Sequence, residues 1–372
     1  MLLVSEPTLG EEEKSALAAV IDSNWVTMGD RVRDFERRFA RQHGARDAVA
    51  VASCTAGLHL ALAGLEIGPG DEVLVPSLSF VATANCVRYV GATPVFVDID
   101  SIGRPLISAE DAEHRCTERT KAVIVMHYGG YLVDADTWRR FAESHRIHLI
   151  EDAAHAAGAF GAGLMGDVAA FSFYGNKNMT TAEGGMVTAR DPMVLAAIRQ
   201  MRGHGMTSGT RERLDARTPG YDVTMLGWNY RLDELRAAIG IVQLQNLRTW
   251  NKKRAELTRL YRDALDRECP DVMVPFSNAR VSSAYHIVPA ILPEGVDRDR
   301  VVGKLRDAGI QTTIHYPPIH MLSLYRSSRT HDTLPQTERF STRELTLPLH
   351  PKMSETDVDY VARTLALGIS SG

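Results

Sequence analysis

Apolar residues first recur at helical spacing and then condense into short continuous runs. Between Glu11 and Ser23, the residues Ala16, Leu17, Val20 and Ile21 fall on one face, which predicts an amphipathic helix. The segment Asn24-Trp25-Val26-Thr27-Met28-Gly29 breaks that pattern and reads as a loop. Trp25 within it has two readings, the wall of a pocket or the anchor of the loop. Val32, Phe35 and Phe39 then mark the inward face of a second helix over about Val32–His43, stopped at Gly44.

From Ala48 the period changes. Ala48–Ala52, Glu72–Val75, Pro94–Val97, Ala122–Met126, Ile147–Ile150, Ala169–Phe173 and Gly185–Thr188 read as strands. Thr55–Leu65, Ala82–Val90 and Asp136–His145 read as helices between them, with a turn at Gly68-Pro69-Gly70-Asp71. Continuously apolar strands are covered on both faces, so the rhythm predicts an α/β fold with a mostly parallel sheet. The polar segment Thr207–Pro219, with Arg211, Arg213 and Arg217, reads as a mobile surface loop. After Arg231 a long helix is expected to about Leu265. Strands at Ala284–Ala290 and Gln311–His315 and helices at Asp297–Ala308 and Glu355–Leu367 follow. The expected division is a large domain over 1–250 and a smaller α/β domain over 251–372.

Composition narrows the class. The chain has 372 residues, with 42 Lys and Arg against 46 Asp and Glu, for a net charge of −4. That balance points to neither nucleic acid nor an anionic membrane surface. Cys54, Cys86, Cys116 and Cys269 are scattered and form no CxxC pair, which argues against a zinc site and for a reducing compartment. No metal ligand set is expected. Met1–Pro7 lacks a basic stretch, and no run of about 18 apolar residues occurs, so a cytoplasmic protein without a membrane span is expected.

In sheets of this kind ligands bind beyond the carboxyl ends of the strands. After Ala48–Ala52 comes Ser53-Cys54-Thr55-Ala56-Gly57, small residues opening a helix. They make either a phosphate cradle or a plain helix cap. Phe80, beyond Glu72–Val75, either stacks on a flat ligand or packs in the core. After Ile147–Ile150 come Glu151 and Asp152, of which only one can face a site. A carboxylate there can hold a pyridine nitrogen protonated, or cap a helix. His155, a turn later, is a candidate donor or a satisfied core histidine. Ala169–Phe173 leads to Lys177, with no second charge until Glu183. Burial lowers the pKa of such a lysine, and a neutral amine can form a Schiff base with a carbonyl. Ser172, upstream, is a second candidate phosphate ligand. Phosphate loop, ring, acid and lysine all fall at strand ends of one sheet.

The order and wording of these segments resemble the DegT/DnrJ/EryC1/StrS aminotransferases, pyridoxal phosphate (PLP) enzymes of the aspartate aminotransferase fold, fold type I. The resemblance rests on Ile67-Gly68-Pro69-Gly70-Asp71-Glu72-Val73, Thr83-Ala84-Asn85, Gly91–Asp98 and His127-Tyr128-Gly129-Gly130. It continues through Glu151–His155, Ser172-Phe173-Tyr174, Lys177–Thr181, Gly227–Leu232 and His315–His320. It implies a large domain with a seven-stranded type of sheet and a smaller C-terminal domain. It implies that Lys177 carries PLP as a Schiff base and moves the substrate proton, and that Asp152 pairs with the pyridinium nitrogen. Phe80 is then the stacking ring, and Thr55, the Ala56 backbone and Ser172 hold the phosphate. His155 sits against the ring face or its hydroxyl. Asn229 reaches the partner subunit's phosphate in a homodimer with shared sites. Trp25, Tyr316 and His320 are candidates for the substrate pocket.

Cys54 and Gly57 stand where many members have Gly and Ala, and Ala182 replaces the usual glycine before Glu183-Gly184-Gly185. Members that dehydrate sugars carry histidine at the lysine position, so Lys177 favours transamination. The implied reaction moves an amino group from L-glutamate, through the pyridoxamine phosphate (PMP) form, to a keto-sugar on dTDP or UDP. A keto-cyclitol such as scyllo-inosose, a PLP-dependent dehydration and a non-catalytic regulatory role are the alternatives.

Overall fold

The structure, a computed structural model, describes residues 1–217, 220–276, 282–326 and 333–370. Thr218 and Pro219, the end of the expected polar loop, lie outside the described residues. In chain order the elements begin α1 (Glu11–Asp22), α2 (Asp30–His43), β1 (Val49–Val51), α3 (Cys54–Gly64), β2 (Glu72–Pro76), α4 (Ala82–Tyr89) and β3 (Thr93–Val97). They continue β4 (Ile99–Ser101), β5 (Arg104–Ile107), α5 (Ala109–Arg115), β6 (Thr120–Met126), α6 (Ala135–His145), β7 (His148–Asp152), β8 (Val168–Ser172) and β9 (Gly185–Ala189). Then come α7 (Pro192–Met201), α8 (Thr210–Ala216), α9 (Glu234–Glu268), β10 (Val288–Ile291), α10 (Arg298–Asp307), α11 (Ser323–Arg326), α12 (Pro335–Arg343), β11 (Glu344–Leu347) and α13 (Glu355–Ser370).

Seven strands form the main sheet in the order β1-β9-β8-β7-β6-β2-β3. Pairs β8–β7, β7–β6, β6–β2 and β2–β3 are parallel, and β9 runs antiparallel to both its neighbours. The ends of β1, β2, β6, β7 and β8 therefore share one edge with the start of β9. Alternation along the strands splits the core. Ala50, Leu74, Val123, Leu149, Ala169 and Met186 face one side, with α2, α6 and the first half of α9. Val51, Val75, Ile124, Ile150, Ala170 and Val187 face the other, with α3, α4 and α7. A third core joins the second half of α9 to β10, β11, α10 and α13.

Buried charges fix the helices to this frame. Glu234, at the start of α9, accepts the Gly29, Arg31 and Val32 N–H groups, which closes the donors at the start of α2. Arg202 lies 2.5 Å from Glu36 on α2 and donates to the Ala50 carbonyl at 2.7 Å. A glycine is required at Gly185, where a Cβ would lie 2.7 Å from the Cys54 nitrogen and 2.8 Å from the Phe171 carbonyl oxygen. The start of α3 thus packs directly on the sheet.

Three expectations about local structure change. Gln311–His315 is no strand, because the His315 N–H goes to the Glu344 carboxylate at 2.9 Å instead of a ladder carbonyl. Only Thr313 bridges β11, through Thr346. The strand expected at Ala284–Ala290 is confined to Val288–Ile291. The polar loop expected from Thr207 contains helix α8, whose Arg, Leu and Ala content supports a helix despite its polarity.

Candidate active site

At the shared strand edge lies a cavity of about 420 Å³, lined among others by Ser53, Thr55, Phe80, Asp152, His155, Ser172, Lys177, His315 and Tyr316. Adjacent residues on a strand point to opposite faces. Glu151 turns into the core under α6, and Asp152 turns into the cavity. Glu151 accepts from the Gly163, Met165 and Gly166 N–H groups at 2.8–2.9 Å and from His127 Nε2 at 2.9 Å. Asp152 has fewer partners. Thr83 Oγ1 donates to its Oδ2 at 2.7 Å and the Ala154 N–H to its Oδ1 at 3.2 Å. Burial raises the Asp152 carboxyl above its ordinary range, and those donors and Lys177 only partly offset it. A cation set against it would reverse that shift.

Lys177 follows β8 in a turn closed by its own N–H on the Tyr174 carbonyl at 3.0 Å. The turn is held by the next residue. Asn178 donates to Asn251 Oδ1 on α9 at 2.8 Å and to the Ala284 carbonyl at 2.7 Å. Lys177 keeps part of its surface toward the cavity, but desolvation of the ammonium lowers its pKa to about 8, with the Asp152 charge working against the drop. A useful share of neutral amine is therefore present near neutral pH.

His155 lies against the cavity, 1% exposed. Its Nδ1 accepts the Gly129 N–H at 3.3 Å, which leaves Nε2–H to donate to Tyr316 Oη at 2.8 Å. Burial holds this imidazole neutral, well below its ordinary pKa, with Lys177 adding to the effect. Phe80 is no core residue: it is 56% exposed and its ring lies 6.0 Å from that of Tyr316. Ser53 caps α3 by accepting the Ala56 N–H at 3.1 Å. The Ala56 amide is thus committed to the cap, and the opening turn of α3 presents Cys54 and Thr55 to the cavity. Cys54 Sγ points to the Ala170 carbonyl at 3.5 Å and is buried with its thiol pKa raised.

Three sequence candidates lie outside this cavity in the single chain. Asn229 is exposed, paired by its backbone to Gly203. Trp25 lies under Arg211, 5.2 Å from ring centroid to guanidinium, which fits the loop anchor. His320 sits between Ser77 Oγ at 2.6 Å and Glu338 Oε1 at 3.3 Å, away from the cavity wall. Residues that sequence reasoning left without a role also belong to the site. Thr83 is one, placed by α4 four residues after Ser79, and His315 is another. Both stood in the quoted motifs, yet nothing in their spacing marked them. Among the described residues no group of His, Cys, Asp and Glu side chains has a metal-binding arrangement, and no helix is long and apolar enough to cross a membrane.

The family model for the DegT/DnrJ/EryC1/StrS aminotransferase family matches residues 7–366. The chain belongs to that family. It is a PLP-dependent aminotransferase of fold type I. Among solved structures it is similar to the aminotransferase TlmJ from Streptoalloteichus hindustanus, at 33% identity over 100% of this chain and 99% of that one, TM-score 0.91. DesI, solved in the presence of its TDP-sugar product, is 32% identical over 98% of this chain and 92% of that one, TM-score 0.87. Spr1654 from Streptococcus pneumoniae is 28% identical over 100% of both chains, TM-score 0.91, in its PMP form, and is also solved in PLP and apo forms. The cavity fits that cofactor group by group: an amine of lowered pKa, an under-satisfied buried acid, an exposed aromatic face and an open helix start.

Proposed function

We propose that this aminotransferase moves an amino group from L-glutamate to a keto-sugar carried on dTDP or UDP, at C3 or C4 of a deoxysugar. The observation that carries the reading is Lys177 and Asp152 facing one cavity beyond the strand ends, with the lysine amine lowered to about 8. The sugar half is supported by DesI, which was solved in the presence of its TDP-sugar product. Arg211 and Arg213 on α8, with Arg217 directly after it, are the cations we assign to the diphosphate.

PLP, when bound, supplies an aldehyde for amines and a ring that takes up electrons from the Cα–H bond. This chain's residues do the rest. Lys177 Nζ would hold the cofactor in the resting enzyme and would carry the proton taken from the substrate carbon. Asp152 would pair with the pyridine nitrogen and keep it protonated, with Thr83 Oγ1 holding the carboxylate in place. Thr55, Ser172 and the Ala56 amide, which would exchange Ser53 Oγ for the phosphate, would hold that group at the start of α3, where the helix dipole favours an anion. Phe80, exposed at the cavity, would cover one ring face. His155, a neutral donor to Tyr316, would sit against the ring face or its hydroxyl. We assign Asn229 to the partner subunit's phosphate in a homodimer, and take the domain division at 250/251, inside α9, where one core gives way to the next. A cytoplasmic setting agrees with the four free cysteines.

The test is a panel of 3- and 4-keto nucleotide sugars together with scyllo-inosose, given to glutamate-loaded enzyme and read by mass spectrometry. Amination of a dTDP- or UDP-sugar with stoichiometric 2-oxoglutarate is the expected result. Amination of scyllo-inosose alone would replace the acceptor. Turnover without 2-oxoglutarate would replace transamination by dehydration.

A further inference from the structure

Behind the cavity wall runs a chain of hydrogen bonds that none of these roles uses. Glu344, the first residue of β11, is 1% exposed. Its Oε2 accepts the His315 N–H at 2.9 Å, and its Oε1 lies 2.5 Å from Thr346 Oγ1. Thr346, two residues on and therefore on the same strand face, is 0% exposed. Its Oγ1 lies 2.8 Å from His315 Nδ1. His315 lines the cavity with Lys177. With Nδ1 taken, Nε2 is the ring nitrogen left for a group in the cavity.

This chain admits two hydrogen orders. With Glu344 protonated, the carboxyl donates to Thr346, Thr346 donates to His315 Nδ1, and Nε2–H is a donor. With Glu344 ionised, Thr346 donates to the carboxylate, Nδ1–H donates to Thr346, and Nε2 is a base. The two orders differ by one proton, and in both the imidazole is neutral.

We propose that Glu344, Thr346 and His315 form a proton relay that stores a proton behind the active site and exchanges it with a substrate atom at His315 Nε2. The chemistry requires such an exchange. When an amine adds to a ketone, the departing hydroxyl takes one proton as the C–O bond breaks with its electrons on oxygen, and water leaves. The nitrogen later gives up one proton. The relay supplies the first and recovers the second, and ends as it began. Glu344 and Thr346 act through His315 and are positioning residues; His315 is the group that touches substrate.

Electrostatics agree with this geometry. Burial pushes Glu344 up to about 8, so the store is filled at neutral pH. Arg298 of α10, 3.2 Å from the Glu344 carbonyl oxygen, pulls the other way. Tyr128, donating to the His315 carbonyl, and Tyr316 face the same site, and burial keeps both phenols neutral. His315 is lowered to about 3, which suits a conduit that never becomes a cation.

The inference rests on amine transfer to a carbonyl only for its kinetic arm. In the holoenzyme, kcat/KM for the keto substrate should fall as pH rises through about 8, and Glu344→Gln should abolish that limb. The amide of E344Q keeps the acceptor for the His315 N–H but fixes the order of the chain. Loss of the relay should lower kcat by about 100-fold, the scale of one general acid–base contribution. Thr346→Val should reproduce E344Q, and Thr346→Ser, which keeps the hydroxyl, should restore most of the rate. Two readouts need no turnover. The ¹⁵N shifts of His315 should report a change of tautomer centred near pH 8, absent in E344Q. An infrared difference between low and high pH should show a protonated carboxyl, also lost in that variant. A folded E344Q with the limb and tautomer change intact overturns the relay, as does equal loss in T346V and T346S. If no keto substrate turns over, the ring shifts decide the relay by themselves, and the function reading fails separately.

Discussion

The two faces of the sheet at the end of β7 hold adjacent carboxylates with opposite fates. Glu151 is closed in by three backbone donors and an imidazole. Asp152 has one hydroxyl and one longer amide contact, and a lysine shares its cavity. A buried carboxylate with every lone pair engaged ties loops to a strand and has nothing left to offer. One left partly unsatisfied is poised to take a cation. Burial is equal on the two faces, and the number of donors decides which acid is used up in holding the fold and which is left open to the cavity.

The largest losses are expected on the Asp152 side. Lys177→Ala should lower turnover by at least about 10³-fold and remove the visible absorption of covalently held PLP, with the fold intact by circular dichroism. Normal turnover in that variant would refute the assignment. Asp152→Asn should cost about 10²-fold or more in kcat while leaving the melting temperature nearly unchanged. Glu151→Gln should do the reverse. It leaves amide donors facing an amide and should destabilise by about 3 kcal/mol, with kcat/KM per folded molecule held. A kcat loss in E151Q without a stability loss would erase the distinction between the two faces.

The charge of Asp152 also shifts the titration of its neighbour. In the cofactor-free chain the Lys177 amine should label with a midpoint near pH 8, and D152N should move that midpoint down, because the carboxylate charge raises it. The unfolded lysine titrates at its ordinary, higher value, so the unfolded chain binds more protons between the two. Folding stability from this group is therefore full above the ordinary lysine pKa and is lost as pH falls through about 8. Lys177→Met should flatten that slope in pH-dependent unfolding. The smallest effect concerns the loop after the lysine. Ala182 has φ of 67°, in the left-handed region, where the family usually has glycine. Ala182→Gly should stabilise by up to about 1 kcal/mol, read as a higher denaturant midpoint.

Much of the frame was legible in the chain because its signals are local. Continuous apolar runs in Ala122–Met126 and Ile147–Ile150 required a covered parallel sheet, and the strand ends located the chemistry. The order of Thr55, Phe80, Asp152 and Lys177 carried the family, and with it the cofactor. Short or polar elements were harder to read. The β4–β5 hairpin, α5 and α8 are too short to show a period, α7 and α12 are amphipathic yet are not among the expected helices, and the stretch before His315 has strand propensity but lost its ladder partner to a side chain.

By itself, then, the sequence determined the fold class through its apolar period and, through the family its residue order resembles, the cofactor, because period and order are properties of neighbours in the chain. Tertiary structure alone decided which of two adjacent acids meets the lysine and that Ser53 occupies the Ala56 amide. It also decided that Thr83, His315, Thr346 and Glu344 converge on one site. Those outcomes depend on burial and on hydrogen-bond partners 69 residues away, as for Thr83 and Asp152, or 31 away, as for His315 and Thr346. No local pattern encodes such distances, because desolvation and donor count are set only once the chain has closed around the group.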